Sequence, residues 1–205
     1  MFALINDDER TEALRSIAFN LGMEFCEKDE YGLRSLLKDF KLFDQGHSKR
    51  VYNLMEKSSG YLEEKFHIMD YKYTISANNS SKTYRQTVFF INSKRLALPQ
   101  MLLKPESFFN KVGAWFGMQD IDFVEHPVFS EKYLLQGEDE ARIRRSLPEE
   151  VIRFFTVEQD WCLECLGYFM ILYRQDSLAA PGYVEMLYKK GLSLYEHLKS
   201  QEPEI

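Results

Sequence analysis

The chain has 205 residues and a mass of 24.3 kDa, with 26 basic and 32 acidic side chains and a formal net charge of -6. A chain of this length can bury a large core without disulfides or structural metal ions, and its 45% apolar content excludes a disordered or low-complexity chain. The acidic balance argues against nucleic acid as a partner, because nucleic-acid-binding surfaces normally show an excess of Lys and Arg. We therefore expect residues 1–205 to form a single compact domain, with a possible subdivision near 104–118.

The distribution of charge and the cysteine content indicate the compartment. No stretch without Asp, Glu, Lys or Arg exceeds nine residues, whereas a membrane-spanning helix needs roughly 20 apolar residues. The first residues lack the basic and apolar regions of a secretion signal. Three cysteines in such a chain are typical of reduced thiols, so we expect a cytoplasmic protein without a disulfide framework.

The first predicted element is a helix from about residue 7 to residue 21. Asn6 and Glu9 have the spacing of a capping box, and apolar residues then recur at intervals of three and four as far as Leu21. Gly22 follows and suits a left-handed C-terminal cap. Short elements are predicted next: a strand over 23–26, a helix over 33–40 and a polar connection over 44–48.

Two long strands are predicted to form a hairpin around the polar segment 76–82. Over 61–75 the apolar residues occupy even positions up to Ile68 and odd positions from Met69, so a regular strand would send some of them to each face. We expect a β-bulge near these two residues, which would restore a single apolar face. The alternative is a strand covered on both sides. The partner strand, 83–92, contains an unbroken apolar block that also suggests cover on both faces.

Proline and aromatic residues mark the middle of the chain. Pro99 lies within the apolar segment 96–103 and removes a backbone donor, which is typical of an edge strand. Pro105 is expected to open a helix that ends at Gly117. This helix would carry four large aromatic residues within nine positions, namely Phe108, Phe109, Trp115 and Phe116. Its wide apolar face could anchor a protein partner, lie at a membrane interface or pack in the core.

The C-terminal half is predicted to alternate short strands with helices. In chain order these are strands over 121–124 and 132–135 around a turn at 126–127, helices over 138–145 and 146–159, strands over 161–166 and 168–174, and an amphipathic helix over 184–198. Hairpin-paired strands and grouped helices predict the α+β class, with mainly antiparallel sheet, flanking helices and a C-terminal amphipathic helix.

Cys162 and Cys165 form the only CxxC motif in the chain. In a redox site this motif normally opens a helix, whereas here it lies in a predicted strand. Residues three apart in a strand point to opposite faces, so the two thiols would not meet. A zinc site would need further ligands, which Cys26 and the scattered histidines do not supply. We therefore predict buried structural thiols, with no metal or other cofactor.

Three acidic residues offer the alternative of an enzyme with an unrecognised site. Asp120 and Asp122 lie on one side of an extended segment, as an acid–base or cation site would require, and a solvated strand face has the same pattern. Asp70 lies beside the predicted bulge, and bulges often re-aim side chains next to functional sites. Its other interpretation is an ordinary turn or hydrogen-bonding residue. Catalysis would require the three acids to converge in a concave pocket.

The remaining motifs favour binding over catalysis. No nucleotide-binding or nucleophile-elbow signature occurs in the chain. Tyr71 and Tyr73 project from one face of a predicted strand and could line a groove or pack as half-buried sheet residues. With the four aromatic residues of the middle helix, they are the candidate partner-binding residues. We predict a non-catalytic module that binds a protein or another ligand; the enzyme and a peripheral membrane protein are the alternatives.

Five segments resemble, in the same order, a broad bacterial family of uncharacterised proteins. They are FHIMDYKY at 66–73, TYRQTVFF from Thr83, LLKPESFF from Leu102, QDIDFVEHPVFSEKYLLQGEDE from Gln119 and ILYR from Ile171. The resemblance spans about residues 10–195 and implies neither catalytic residues nor cysteines at the CxxC positions. Many members carry hydrophobic anchor segments outside the shared region, which this chain lacks unless residues 2–5 are a remnant.

Overall fold

The computed structural model describes residues 6–60, 63–77, 80–108 and 120–199. The strands in these ranges are β1 (Glu24–Lys28), β2 (His47–Ser59), β3 (Glu64–Ala77), β4 (Ser80–Asn92), β5 (Leu98–Pro105), β6 (Tyr133–Gly137), β7 (Trp161–Gly167) and β8 (Phe169–Arg174). The α-helices are α1 (Asp7–Leu21), α2 (Leu33–Leu36), α3 (Lys41–Asp44), α4 (Pro127–Lys132), α5 (Glu140–Ser146), α6 (Glu149–Val157) and α7 (Pro181–Leu198). None of these helices combines the length and the apolar character needed to span a membrane.

The strands form one sheet in which every neighbouring pair is antiparallel. Their order is β1-β2-β3-β4-β8-β7-β5-β6. The β7–β8 hairpin lies between β4 and β5, so it joins the N-terminal and C-terminal parts of the sheet in a single layer. The predicted α+β class, with flanking helices and a C-terminal helix, is confirmed.

Strand β3 is covered on both faces and carries no bulge. Phe66 and Ile68 belong to the apolar cluster on one face, while Met69, Tyr71 and Tyr73 belong to the cluster on the other. Its pairing with β4 runs without a register shift. The prediction of a bulge at Ile68 and Met69 is therefore wrong, because both phases of the period-two pattern find apolar cover. The alternative, a strand covered on both sides, is confirmed.

Two register shifts lie instead in the neighbouring strand β2, which the sequence analysis missed, and the second faces the predicted position. The pairing of β2 with β3 shifts register between Tyr52 and Met55, and Asn53 has a positive φ of 49°. The extra residue breaks the alternation, so Val51 and Leu54 belong to one apolar cluster and Met55 to the other. A spacing of three residues on the same face hides this strand from a search for period two.

Helices cover the two faces of the sheet unequally. The larger apolar cluster includes residues of α1, α4, α5, α6 and α7, whereas the smaller one includes residues of α2 and α3. Helix α7 approaches β4 closely at position 191, which is glycine. A Cβ atom on Gly191 would lie 2.4 Å from the ring of Phe89. Glycine is therefore required there for α7 to lie against the sheet.

The N-terminal helix has the bounds and caps predicted from the sequence. Helix α1 follows Asn6, whose side chain accepts a hydrogen bond from the Asp8 N–H at 3.2 Å, and Gly22 after it is left-handed with φ 63°. The predicted β7–β8 hairpin and the predicted C-terminal amphipathic helix are confirmed as well. These elements share strong local signals, namely capping residues, a turn glycine and a regular apolar period.

Three predictions in the middle of the chain are corrected. Strand β5 is an interior strand paired with β6 and β7, and Pro99 lies where the β5–β7 register shifts, a place at which strands tolerate a missing donor. Residues 121–124 form no strand, and Asp120 just before them makes an isolated bridge to Gln136. The turn predicted at 126–127 is the start of α4, because proline is favoured in the first turn of a helix.

Candidate functional site

A pocket of about 230 Å³ lies beside the first turns of α7. It is lined by residues from five parts of the chain: β4, the start of β7, the end of β8, the segment that leads into α7, and α7 itself. Pockets that hold drug-sized ligands are normally about 300–1,000 Å³. The size of this pocket therefore suits a smaller ligand.

One wall of the pocket is apolar and reaches the solvent. Tyr183 and Met186 lie three residues apart on α7 and are 60% and 39% exposed. Leu187, which also lines the pocket, is buried. Residues three apart on a helix are neighbours on its surface, so the two exposed side chains form a continuous apolar rim.

Two buried donors belong to other residues of the pocket lining, Trp161 and Arg174. Trp161 lines the pocket and is 5% exposed, and its indole Nε1 has no hydrogen-bond acceptor among the described residues. The Arg174 guanidinium lies over the indole ring, 4.4 Å from its centroid, and the Arg174 Nε also lacks an acceptor among those residues. One terminal nitrogen of Arg174 donates to the carbonyl of Gln159 at 3.2 Å. A buried donor without an acceptor costs about 1–3 kcal/mol.

The electrostatic environment of the pocket is positive. Arg174 is the only charged residue among the described residues that line it. The N-terminal end of α7 also contributes, because an 18-residue helix carries a partial positive charge there. Ala180 is the N-cap residue and has no side-chain oxygen to cap the helix, so no side chain offsets this charge.

Thr87 connects the pocket to a buried hydrogen-bond network. Its hydroxyl accepts a hydrogen bond from the backbone N–H of Ala179 at 2.9 Å and donates one to Asp70 at 2.8 Å. Arg10 in the first turn of α1 also donates to the Thr87 hydroxyl and to the carbonyl of Ala179, at 3.1 and 2.7 Å. The segment before α7 is thereby tied both to the sheet and to α1.

The centre of this network is a bidentate ion pair. The Nε and Nη2 atoms of Arg10 each donate to one carboxylate oxygen of Asp70 at 2.8 Å, and Asn53 at the β2 bulge donates to Asp70 at 3.0 Å. Burial acts to lower the pKa of Arg10, but the hydrogen bond and charge of Asp70 outweigh it and raise that pKa. Asp70 is therefore an ordinary hydrogen-bonding residue, which was the second interpretation of the sequence. The bulge beside it lies in β2.

A second buried acid lies on the other face of the sheet. Glu164 in β7 accepts hydrogen bonds from the backbone N–H groups of Lys41 and Leu42, at 2.6 and 3.0 Å, and from the Tyr173 hydroxyl at 2.9 Å. Burial raises the pKa of Glu164 to about 7, and these donors limit the rise. The carboxyl group holds the first turn of α3 against the sheet.

The fold of this chain is similar to that of a solved structure, the mycobacterial trehalose monomycolate transport factor A, TtfA. The TM-score is 0.62 and the sequence identity is 12%, and the match covers 94% of this chain and 98% of that chain. At this identity the likeness shows a shared fold. No family model and no curated protein matches the sequence, and membership of the bacterial family suggested by the five segments stays a prediction.

The predicted acidic site does not assemble. Asp70 lies in β3 and Asp120 bridges to β6, and five strand spacings, about 24 Å, separate these strands. Asp120 and Asp122 are both exposed, and the carboxylate of Asp120 accepts a hydrogen bond from the Leu135 N–H at 3.0 Å. The described residues contain no group of three or more potential metal-binding His, Cys, Asp or Glu side chains. The sheet order therefore keeps Asp70 apart from Asp120 and Asp122, whereas the enzyme hypothesis requires the three acids to meet in one pocket.

The two thiols of the CxxC motif point to opposite faces of the sheet. Cys162 belongs to the smaller apolar cluster and Cys165 to the larger one, and both are buried. Burial raises the pKa of each thiol, which keeps both in the unreactive protonated form. The prediction of separate, buried thiols is confirmed.

The predicted partner-binding residues fall into two groups. Tyr71 and Tyr73 are fully buried, and the Tyr71 ring lies 4.3 Å from that of Phe43, so the idea that they line an accessible groove is corrected: both belong to the core. Pro105 ends β5, and a 3-10 turn follows at Glu106–Phe108. The side chain of Phe108 and the whole of Phe109, Trp115 and Phe116 lie outside the described residues, so their role stays a prediction.

Proposed function

We propose that this chain is a non-catalytic binding module whose site is the pocket at the start of α7. One observation carries the proposal: the pocket combines a buried Trp161 donor that has no acceptor among the described residues with a Tyr183 ring that is 60% exposed. A small ligand with a polar acceptor at one end and an apolar body would satisfy the donor and cover the ring. Such a ligand suits both walls of the pocket.

Two of the buried acids, Asp70 and Glu164, support binding over catalysis. Asp70 is neutralised by Arg10, and Glu164 is surrounded by two backbone N–H groups and a tyrosine hydroxyl. Each carboxyl group therefore accepts hydrogen bonds that fix a neighbouring segment of the chain against the sheet. Neither Asp70 nor Glu164 lines the pocket, so neither is placed to exchange a proton with a ligand there.

The similarity to TtfA is consistent with this proposal. That protein is described as a transport factor for trehalose monomycolate. Transport as such requires recognition and involves no chemical conversion. The shared fold thus supports a binding role, and the pocket of this chain determines which ligand it accepts.

Calorimetric titration with two probes tests the proposal. 4-Phenylbutyrate and 4-phenylbutyramide share one apolar body and differ only in the polar end. We expect at least one of them to bind with a Kd of about 0.1–1 mM, the range that about 12 non-hydrogen atoms normally reach. Tyr183→Ser should weaken this binding about fivefold or more, because it removes the aromatic part of the rim.

Tyr168→Ser is the matched control for this titration. Tyr168 is 51% exposed, comparable with Tyr183, but it lies at the turn between β7 and β8 and does not line the pocket. We expect the control to leave both affinities unchanged. The proposal fails if neither probe binds the unmodified protein, or if the two tyrosine substitutions weaken binding equally.

A further inference from the structure

We infer that the polar end of the ligand is a carboxylate, so that the pocket selects small amphipathic monoanions. This inference rests on the proposed function and adds the chemical class of the ligand. Its basis is the charge of the pocket: Arg174 contributes a full positive charge, and the described lining residues include no acidic side chain. The described lining therefore offers an anion one full positive charge and no acidic side chain.

Two donors are arranged beside each other for this group. The Arg174 guanidinium lies over the Trp161 ring, 4.4 Å from its centroid, so the two residues are neighbours in the pocket lining. The Nε of Arg174 and the Nε1 of Trp161 both lack acceptors among the described residues. Two such donors match the two oxygen atoms of a carboxylate, and hydrogen bonds to an ionised acceptor are about twice as strong as neutral ones.

Helix α7 strengthens the preference for an anion. Ala180 and Tyr183, on either side of the helix start, both line the pocket. Anions are stabilised near helix N-termini by the helix dipole, and here no side-chain cap occupies that end. The dipole acts together with Arg174 and the unpaired indole donor, which are independent of it.

The apolar residues of α7 and the volume of the pocket limit the kind and the size of the ligand. Tyr183, Met186 and Leu187 provide apolar contacts, and the volume of about 230 Å³ equals that of about eight water molecules. A phosphate dianion would fit this site less well, because the single guanidinium leaves one of its two charges without a partner. A monocarboxylate with a short aryl or alkyl chain satisfies both the charge and the volume.

The probe pair used above distinguishes this inference from the proposed function. At pH 7.5 we expect 4-phenylbutyrate to bind about tenfold more tightly than 4-phenylbutyramide, because only the carboxylate carries a negative charge that pairs with the Arg174 guanidinium. Arg174→Met keeps much of the apolar stem and should reduce the affinity for the carboxylate about tenfold or more. The affinity for the amide should change less than about threefold.

Arg153→Met provides the control, since Arg153 is an exposed residue of α6 that does not line the pocket. It should leave both affinities unchanged. Equal affinities of the unmodified protein for the two probes would overturn the carboxylate inference and leave the proposed function standing. Binding of neither probe would overturn both. The comparison of the two probes needs no substitution, so it decides the question even if Arg174→Met impairs folding.

Discussion

Replacing Asp70 with alanine is expected to lower the free energy of unfolding by about 3–5 kcal/mol. The substitution leaves the Arg10 guanidinium buried without its counter-ion, and it removes the acceptor of the Asn53 amide and the Thr87 hydroxyl. The cost arises from these uncompensated groups and exceeds what the ion pair itself contributes. Urea denaturation of the full chain measures it directly.

Two comparisons separate this effect from general loss of charge. Glu185→Ala breaks an exposed ion pair with Lys189 on α7 and should cost less than about 1 kcal/mol. The double substitution Arg10→Met and Asp70→Leu removes both charges and should cost less than Asp70→Ala alone. A loss below about 1 kcal/mol for Asp70→Ala would show that the network does not hold α1, the β2 bulge and the α7 segment together.

Glu164 is expected to make the stability of the protein decrease as the pH rises from about 4.5 to about 7. Burial raises the pKa of this carboxyl group from 4.5 to about 7 in the folded chain. Within that window the folded chain retains the proton and the unfolded chain has released it, so raising the pH favours unfolding. The difference in pKa corresponds to about 3 kcal/mol, which is fully lost above about pH 7.

The measurement is the difference in unfolding free energy between the unmodified protein and Glu164→Gln at several pH values. Lys104, Cys162 and Tyr173 also surround Glu164, but they titrate in both proteins. His67 has its pKa lowered by burial and therefore acts in the opposite direction below about pH 6.5, again in both proteins. Subtraction thus isolates Glu164. Curves that stay parallel from pH 4.5 to 7.5 would contradict the buried, proton-binding state of this group.

The elements that were predicted correctly depend on local chemistry. Asn6 and Gly22 mark the ends of α1 because capping is decided within a few residues of the helix terminus. Strand β2 was missed because its bulge at Asn53 places Val51 and Leu54 on one face at a spacing of three. A bulge is set by the pairing with a neighbouring strand, and the sequence of one strand contains no signal for it.

The buried polar residues left signals that the sequence analysis did not use. Arg10 lies four residues before Leu14 and eight before Ala18, so it occupies the apolar stripe of α1. Glu164 interrupts the apolar strand around it. A charged residue at a core position indicates a buried partner, but its identity depends on the sheet order, which brings Asp70 to Arg10 across 60 positions.

The pocket itself is a product of tertiary structure. Trp161, Arg174 and Tyr183 belong to two strands and a helix, and the β7–β8 pairing places the first two opposite each other. In the sequence, each has an ordinary explanation as a strand end or a surface helix residue. Only the packing of α7 beside the β7–β8 hairpin reveals that the Trp161 donor lacks an acceptor and that the rim is exposed.

The fluorescence of Trp161 tests the binding site most directly. The chain has two tryptophans, so Trp115→Phe leaves Trp161 as the only one. We expect 4-phenylbutyrate to change the emission of this single-tryptophan protein with the same Kd that calorimetry gives, because a ligand bound in this pocket changes the polarity around the indole ring. Binding detected by calorimetry without any change in Trp161 emission would contradict the placement of the site at the start of α7.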